Sequence, residues 1–208
     1  YQNAMLYPHS SIVDPNISVY ADEDASAMCS LAALSLATES VISKVTSEFT
    51  NTYALKSIDL TFKNLENGVR DGKNPSLRYP LSIASILAGA AFSLSNLSVT
   101  LCVSTALASW SEHGIEKFMG LILPHVMEFN LTSSPGKYVQ MAKVMDEDVR
   151  DITVIEAAIK AIEGIRRIAF NVDAPARLSQ LGFSKNDFVN IAAQAVRYPF
   201  MENAPRHL

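Results

Sequence analysis

Cysteine is scarce in this 208-residue chain, with only Cys29 and Cys102. Two thiols are too few for a disulfide framework and match neither a zinc nor a redox spacing. They are expected as buried thiols in a reducing cytosol. Eight glycines and nine prolines exclude a collagen-like or linker-like chain. Charge is also sparse, at 18% of residues, with 17 basic against 21 acidic and a net of −4. The longest basic run is Arg166-Arg167, so nucleic acid is not an expected partner. What the chain has in quantity is apolar surface, 49% of residues. That fraction excludes intrinsic disorder, and the length suffices to bury a substantial core.

No charge falls between Arg78 and Glu112, a stretch long enough to span a bilayer. It is broken by Pro80, Asn96 and many hydroxyls, among them Ser82, Ser85, Ser93, Ser95, Ser98, Thr100, Ser104 and Thr105. Its flanks lack the Lys/Arg cluster and aromatic belts of a spanning helix. The reading is buried helices and no membrane partner. The first twenty residues lack the charged-then-apolar pattern of a signal peptide, so the location expected is the cytoplasm.

Helical spacing dominates from about Asp22, where acidic residues lead an apolar face of Met28, Leu31, Leu34, Ala37 and Val41. A second helix is expected from about Thr50 to Gly68, with Tyr53, Leu55, Ile58, Leu60 and Leu65 apolar, before the turn Asp71-Gly72-Lys73-Asn74-Pro75. Helices over 76–94, 97–109 and 113–128 are apolar all round, which places them centrally in a core. Ser134-Pro135 reads as an N-cap and first helical position for a helix through Met145. Thr153–Phe170 carries Ile155, Ala158, Ile159, Ile162, Ile165 and Ile168 at helical spacing. A short helix near Pro175–Leu181 stops at Gly182, and Ser184 with Asp187 opens another. No segment alternates with period two, and residues 1–20 read as irregular. The predicted fold class is all-α, a multi-helix bundle.

Taken residue by residue, the chemistry is thin. His9, His113, His125 and His207 are far apart, and His125 reads as a core or cap histidine. The most ligand-like local group is Glu112-His113-Gly114-Ile115-Glu116, where a helix would set His113 and Glu116 on one face. Two donors do not make a metal site. Glu39 and Glu48 have no partner at helical spacing, and no phosphate-binding or nucleophile motif is present.

Leu123-Pro124-His125-Val126-Met127-Glu128-Phe129-Asn130 resembles the L-P-H-V-M-x-F-N signature of the iron-containing alcohol dehydrogenase family. Ile12-Val13-Asp14-Pro15 is similar to that family's I-V-D-P. Ser47-Glu48-Phe49-Thr50 with Ala54-Leu55-Lys56-Ser57-Ile58 resembles S-P-F-T…A-L-K-A-I. Ala88-Gly89-Ala90-Ala91-Phe92, Gly136-Lys137-Tyr138, Arg177-Leu178…Leu181-Gly182 and Asn203-Ala204-Pro205-Arg206 follow in register. The resemblance covers about residue 11 to the end. It implies the family's C-terminal helical domain (dehydroquinate synthase-like) over residues 21–208. Residues 1–20 are then a remnant of the crossover from a nicotinamide-binding α/β domain, and that domain and the usual last helix are expected to be missing. Partners implied are that α/β domain and a second copy in a homodimer.

The resemblance also implies a metal, iron or zinc, held by one Asp and three His of this domain, with NAD(P) bound by the other. Carried over in register, the Asp and first His fall on Ala32 and Leu36, the next His on Leu101, a further His on Thr105, and the last ligand on Ile115. No metal-ligand position carries a donor, so no cofactor is expected on this chain, and alone it is expected to be inactive. Two other readings stand beside this one. The first is an active NAD(P)-dependent alcohol or aldehyde oxidoreductase without metal, or with a metal relocated to His113 and Glu116. The second is a helical dimerisation or interaction module.

Overall fold

The computed structural model describes residues 8–96 and 98–206; His207 lies outside them. In chain order the α-helices are α1 (Pro15–Ser18), α2 (Glu23–Ile42), α3 (Glu48–Arg70), α4 (Pro75–Ser95), α5 (Val99–Ala108), α6 (Glu116–Asn130), α7 (Pro135–Val144), α8 (Val154–Asn171) and α9 (Phe188–Ala195). No strand occurs among the described residues. The all-α reading holds.

Local chemistry sets most helix starts. Asp22 accepts from the Ala25 N–H at 2.7 Å, Ser47 from Thr50 at 3.2 Å and Ser98 from Leu101 at 3.0 Å. Each satisfies a first-turn donor that no helical carbonyl can reach. Thr153 and Glu156 form a reciprocal capping box at the start of α8. Ser134 departs from expectation: its side chain caps nothing, and Pro135 alone marks the start of α7. Asp14 caps a single helical turn, α1, in the segment expected to be irregular. Only residues 178–181 of the helix expected near Pro175 form, as a 3₁₀ turn, and Gly182 ends it at φ +86°, where a Cβ would be strained.

The centre of the bundle is α2. It packs on α3, α4 and α6, and Met28, Leu31, Leu34, Ala37 and Val41 are all buried. Truncating one such side chain, Leu34 for instance, would cost about 2–5 kcal/mol. The expectation that the uncharged helices occupy the core needs correcting for α4, which covers α2 and α3 from outside and leaves Ile86 45% and Leu94 50% exposed. Its apolar residues outnumber what one packed face can absorb. By length and composition α2 and α4 could each cross a membrane; α2 is mostly buried by its neighbours and α4 is not. Tyr53, Ile155 and Ile159 are likewise more exposed than their spacing suggests.

Long-range polar ties lock the remaining elements. Tyr138 of α7 is fully buried and donates to the Met127 carbonyl of α6 at 2.8 Å. Lys137 donates to the Ser43 carbonyl at the C-terminal end of α2, where a cation suits the helix dipole. The C-terminal segment straps the α4–α5 joint: Asn203 donates to the Ser95 carbonyl at 3.2 Å, and the Ser98 N–H to the Phe200 carbonyl at 3.3 Å.

Candidate functional site

Three elements meet in one region: α2 packs on α5 and α6, and α5 packs on α6. The close fit of α2 to α6 needs Gly120, where a Cβ would sit 2.9 Å from Leu31 Cδ1. Ser35 Oγ, bonded to the Leu31 carbonyl at 2.8 Å, also reaches the Met119 carbonyl at 3.3 Å. The five positions singled out from the sequence lie on these elements. Ala32 and Leu36 are one turn apart on α2, Leu101 and Thr105 one turn apart on α5, and Ile115 is the residue before α6. All five are half-buried, placed neither in the core nor fully in solvent. The Thr105 hydroxyl is committed to its own helix, donating to the Leu101 carbonyl at 2.7 Å.

The alternative donors are not drawn together. His113 is exposed in the loop before α6, its ring edge-on to Phe118 at 6.4 Å between centroids. It shares a surface cleft with Trp110, Phe183 and Asp187. The Glu116 carboxylate folds back over Gly114, and no ion pair joins it to His113. Among the described residues no three His, Cys, Asp or Glu side chains come together. Cys29 proves exposed on α2, which corrects the expectation of two buried thiols; Cys102 is buried. Partial burial and then the charge of Glu116 push the Cys29 thiol up, away from thiolate chemistry. His125 is exposed too, 3.6 Å from Glu128 through Nδ1, and is no core histidine.

The residue that spacing could not place is Glu39. It is fully buried, one turn beyond Leu36 on α2. Its carboxylate accepts from Ser98 Oγ at 2.6 Å, the Val99 N–H at 2.7 Å and the Thr100 N–H at 3.1 Å. It thereby caps α5 from α2, a carboxyl group at a helix N-terminus, and no ion pair engages it among the described residues. Burial pushes its carboxyl above the ordinary range, against the hydrogen bonds from Ser98, Thr100 and Val99. Burial and the same carboxylate push Cys102 up to about 12 and raise Tyr138 as well. The partners lie about sixty residues downstream, so the only sequence sign was an acid in an otherwise apolar and hydroxylic helix.

With this geometry in view, the comparison with known proteins is decisive. Residues 26–208 match the model of the Fe-containing alcohol dehydrogenase family, C-terminal part. The chain belongs to this family. It is 32% identical over 192 residues to 1,3-propanediol dehydrogenase of Klebsiella pneumoniae, covering 91% of this chain and 49% of that protein. It is 25% identical over 203 residues to the NAD-dependent methanol dehydrogenase of Bacillus methanolicus, covering 97% and 53%. Its structure superposes on the crystal structure of 1,3-propanediol oxidoreductase with a TM-score of 0.92 at 30% identity, over 94% of this chain and 51% of that one. The chain thus spans about half the length of the curated relatives it matches, and the shared half is the helical one.

Proposed function

We propose that this chain is the helical domain of an Fe-containing alcohol dehydrogenase-type protein whose metal site has been lost, and that alone it transfers no hydride. The observation that carries this reading is the side-chain chemistry of four positions. Ala32, Leu36, Leu101 and Ile115 are aliphatic, and they lie on α2, on α5 and just before α6, where the resemblance puts the family's ligands. A divalent iron or zinc ion needs several nitrogen, oxygen or sulfur donors at about 2.0–2.3 Å, and aliphatic carbon offers none. The residues present do not fit the metal. Losing one ligand would leave the others half-buried and unpaired, which costs stability. Replacing all four with apolar side chains avoids that penalty.

The metal would supply the Lewis acid that polarises an alcohol or aldehyde oxygen during hydride transfer. Thr105 is the one polar side chain at the five positions, and its proton is engaged with Leu101. A nicotinamide cofactor and a small alcohol substrate enter only through relatives such as the NAD-dependent methanol dehydrogenase. They would belong to an assembly with a nucleotide-binding domain, placed in the cytoplasm. The exposed apolar face of α4 supports a role in association, with such a domain or with a second copy.

Elemental mass spectrometry tests the reading, on chain purified without chelator and then offered Fe²⁺ and Zn²⁺. Retention near zero is expected. About one equivalent, lost on His113→Ala, would overturn it in favour of a relocated site.

A further inference from the structure

A second concave site lies away from these positions, between α6 and the 176–188 segment. Gly182 turns the chain so that Phe183 packs edge-on against Phe118 of α6, with ring centroids 5.7 Å apart. This leaves a groove of about 420 Å³, lined on its apolar side by Leu121, Ile122, Leu178, Phe183 and the exposed Phe188. Leu121, Ile122 and Phe183 stay 7–9% exposed where neighbouring core residues are at zero, which fits an apolar floor open from above. The size suits a small molecule.

The rim carries two cations. Arg177 and Lys185 line it beside His125, and no acidic side chain does, although the whole chain carries a net charge of −4. No ion pair engages Arg177 or Lys185 among the described residues. Two acids stand outside the groove: Asp187 accepts from Ser184 N and Oγ at 2.7 and 2.8 Å, and Glu128 pairs with Arg166 at 2.8 Å while its other oxygen lies 3.6 Å from His125 Nδ1 on the rim. An apolar trough with a free guanidinium and ammonium at its edge matches one ligand chemistry: an alkyl chain ending in a carboxylate.

We propose that this groove binds medium-chain alkyl carboxylates, the chain lying on Leu121, Ile122 and Phe183 and the carboxylate between Arg177 and Lys185. The site shares no residue with the five positions on α2, α5 and the start of α6, so the proposal stands or falls independently of the metal reading.

The test is a heteronuclear NMR titration of the isotope-labelled chain with octanoate, octanol and acetate in parallel. Octanoate should give saturable shifts at amides of 121–125 and 178–185, binding roughly ten-fold more tightly than octanol, at about three-fold for each exposed charge. Acetate should not saturate. In Arg177→Gln/Lys185→Gln, whose side chains are exposed and dispensable for packing, octanoate should fall to the level of octanol. Octanol binding as tightly as octanoate, an unchanged affinity in the double variant, or shifts confined to other surfaces would each overturn the proposal.

Discussion

Glu39 is the sharpest place to test how the bundle is held together, because its burial and its hydrogen bonds pull in opposite directions. Replacing it with Ala strands three donors: the Ser98 hydroxyl and the N–H groups of Val99 and Thr100. Each buried, unsatisfied donor costs about 1–3 kcal/mol, and the cavity adds to that. Relief from burying a carboxylate offsets part of the sum. The expected net loss is about 3 kcal/mol. Gln keeps a carbonyl for the two N–H groups and an amide that the Ser98 oxygen can accept from, so its loss should be smaller, about 1 kcal/mol.

The pH dependence separates the competing effects. Burial holds the Glu39 carboxyl above its ordinary 4.5 in the folded chain. The unfolded chain therefore releases this proton first, and between the two values the folded state binds more protons. Stability from Glu39 is fully present below about 4.5 and declines as pH rises through the folded value. Gln cannot titrate. The gap between wild type and Glu39→Gln should thus be widest in acid and narrow toward neutrality, while carboxylates common to both chains, such as Asp148 and Glu156, cancel. Urea denaturation followed by far-ultraviolet circular dichroism, repeated from acid to neutral pH, measures the gap. A gap that widens with pH would refute the reasoning: the hydrogen bonds and the α5 dipole would then outweigh burial.

Two further outcomes follow from the same packing. Gly120→Ala, whose Cβ would meet Leu31 at 2.9 Å, should push α2 from α6 and lower stability by about 1–3 kcal/mol in the same denaturation assay; no loss would mean that Leu31 swings clear. The fourfold variant Ala32→Asp/Leu36→His/Leu101→His/Ile115→His should bind Zn²⁺ and gain thermal stability with it, by roughly 2.7 kcal/mol at a hundredfold excess over Kd, whereas each single variant should bind none. A fourfold variant that folds without binding Zn²⁺ would show that the aligned positions do not converge.

Much of the fold was legible because its signals are local. The acidic residues from Asp22 announced the start of α2, and the Ile162–Ile165–Ile168 spacing announced the buried side of α8. Periodicity misled where burial depends on what lies across the gap. A helix with apolar residues on every face reads the same whether neighbours bury most of it, as for α6, or cover one side, as for α4. Tyr53, Ile155 and Ile159 show the same ambiguity on a smaller scale. Their spacing allows a core position, and their exposure is decided by helices that the sequence does not place.

The candidate site was reached by a different route. Position-by-position likeness to the family selected Ala32, Leu36, Leu101, Thr105 and Ile115, which lie on α2 and α5 and just before α6, helices that pack together; that they mark a former metal site is the reading proposed above. Glu39 escaped because its acceptors' partners are an N-cap hydroxyl and two backbone N–H groups from another helix, and backbone donors have no side-chain signature. On the proposed loss of the metal site, Glu39 supplies what holds the helices of this region in place. The α2–α5 joint is fixed by a buried carboxylate on a helix N-terminus, one turn beyond Leu36. A bundle that drew this joint from a bound ion would be expected to loosen when the ligands went. One that draws it from Glu39 can exchange them for Ala and Leu and keep the same backbone.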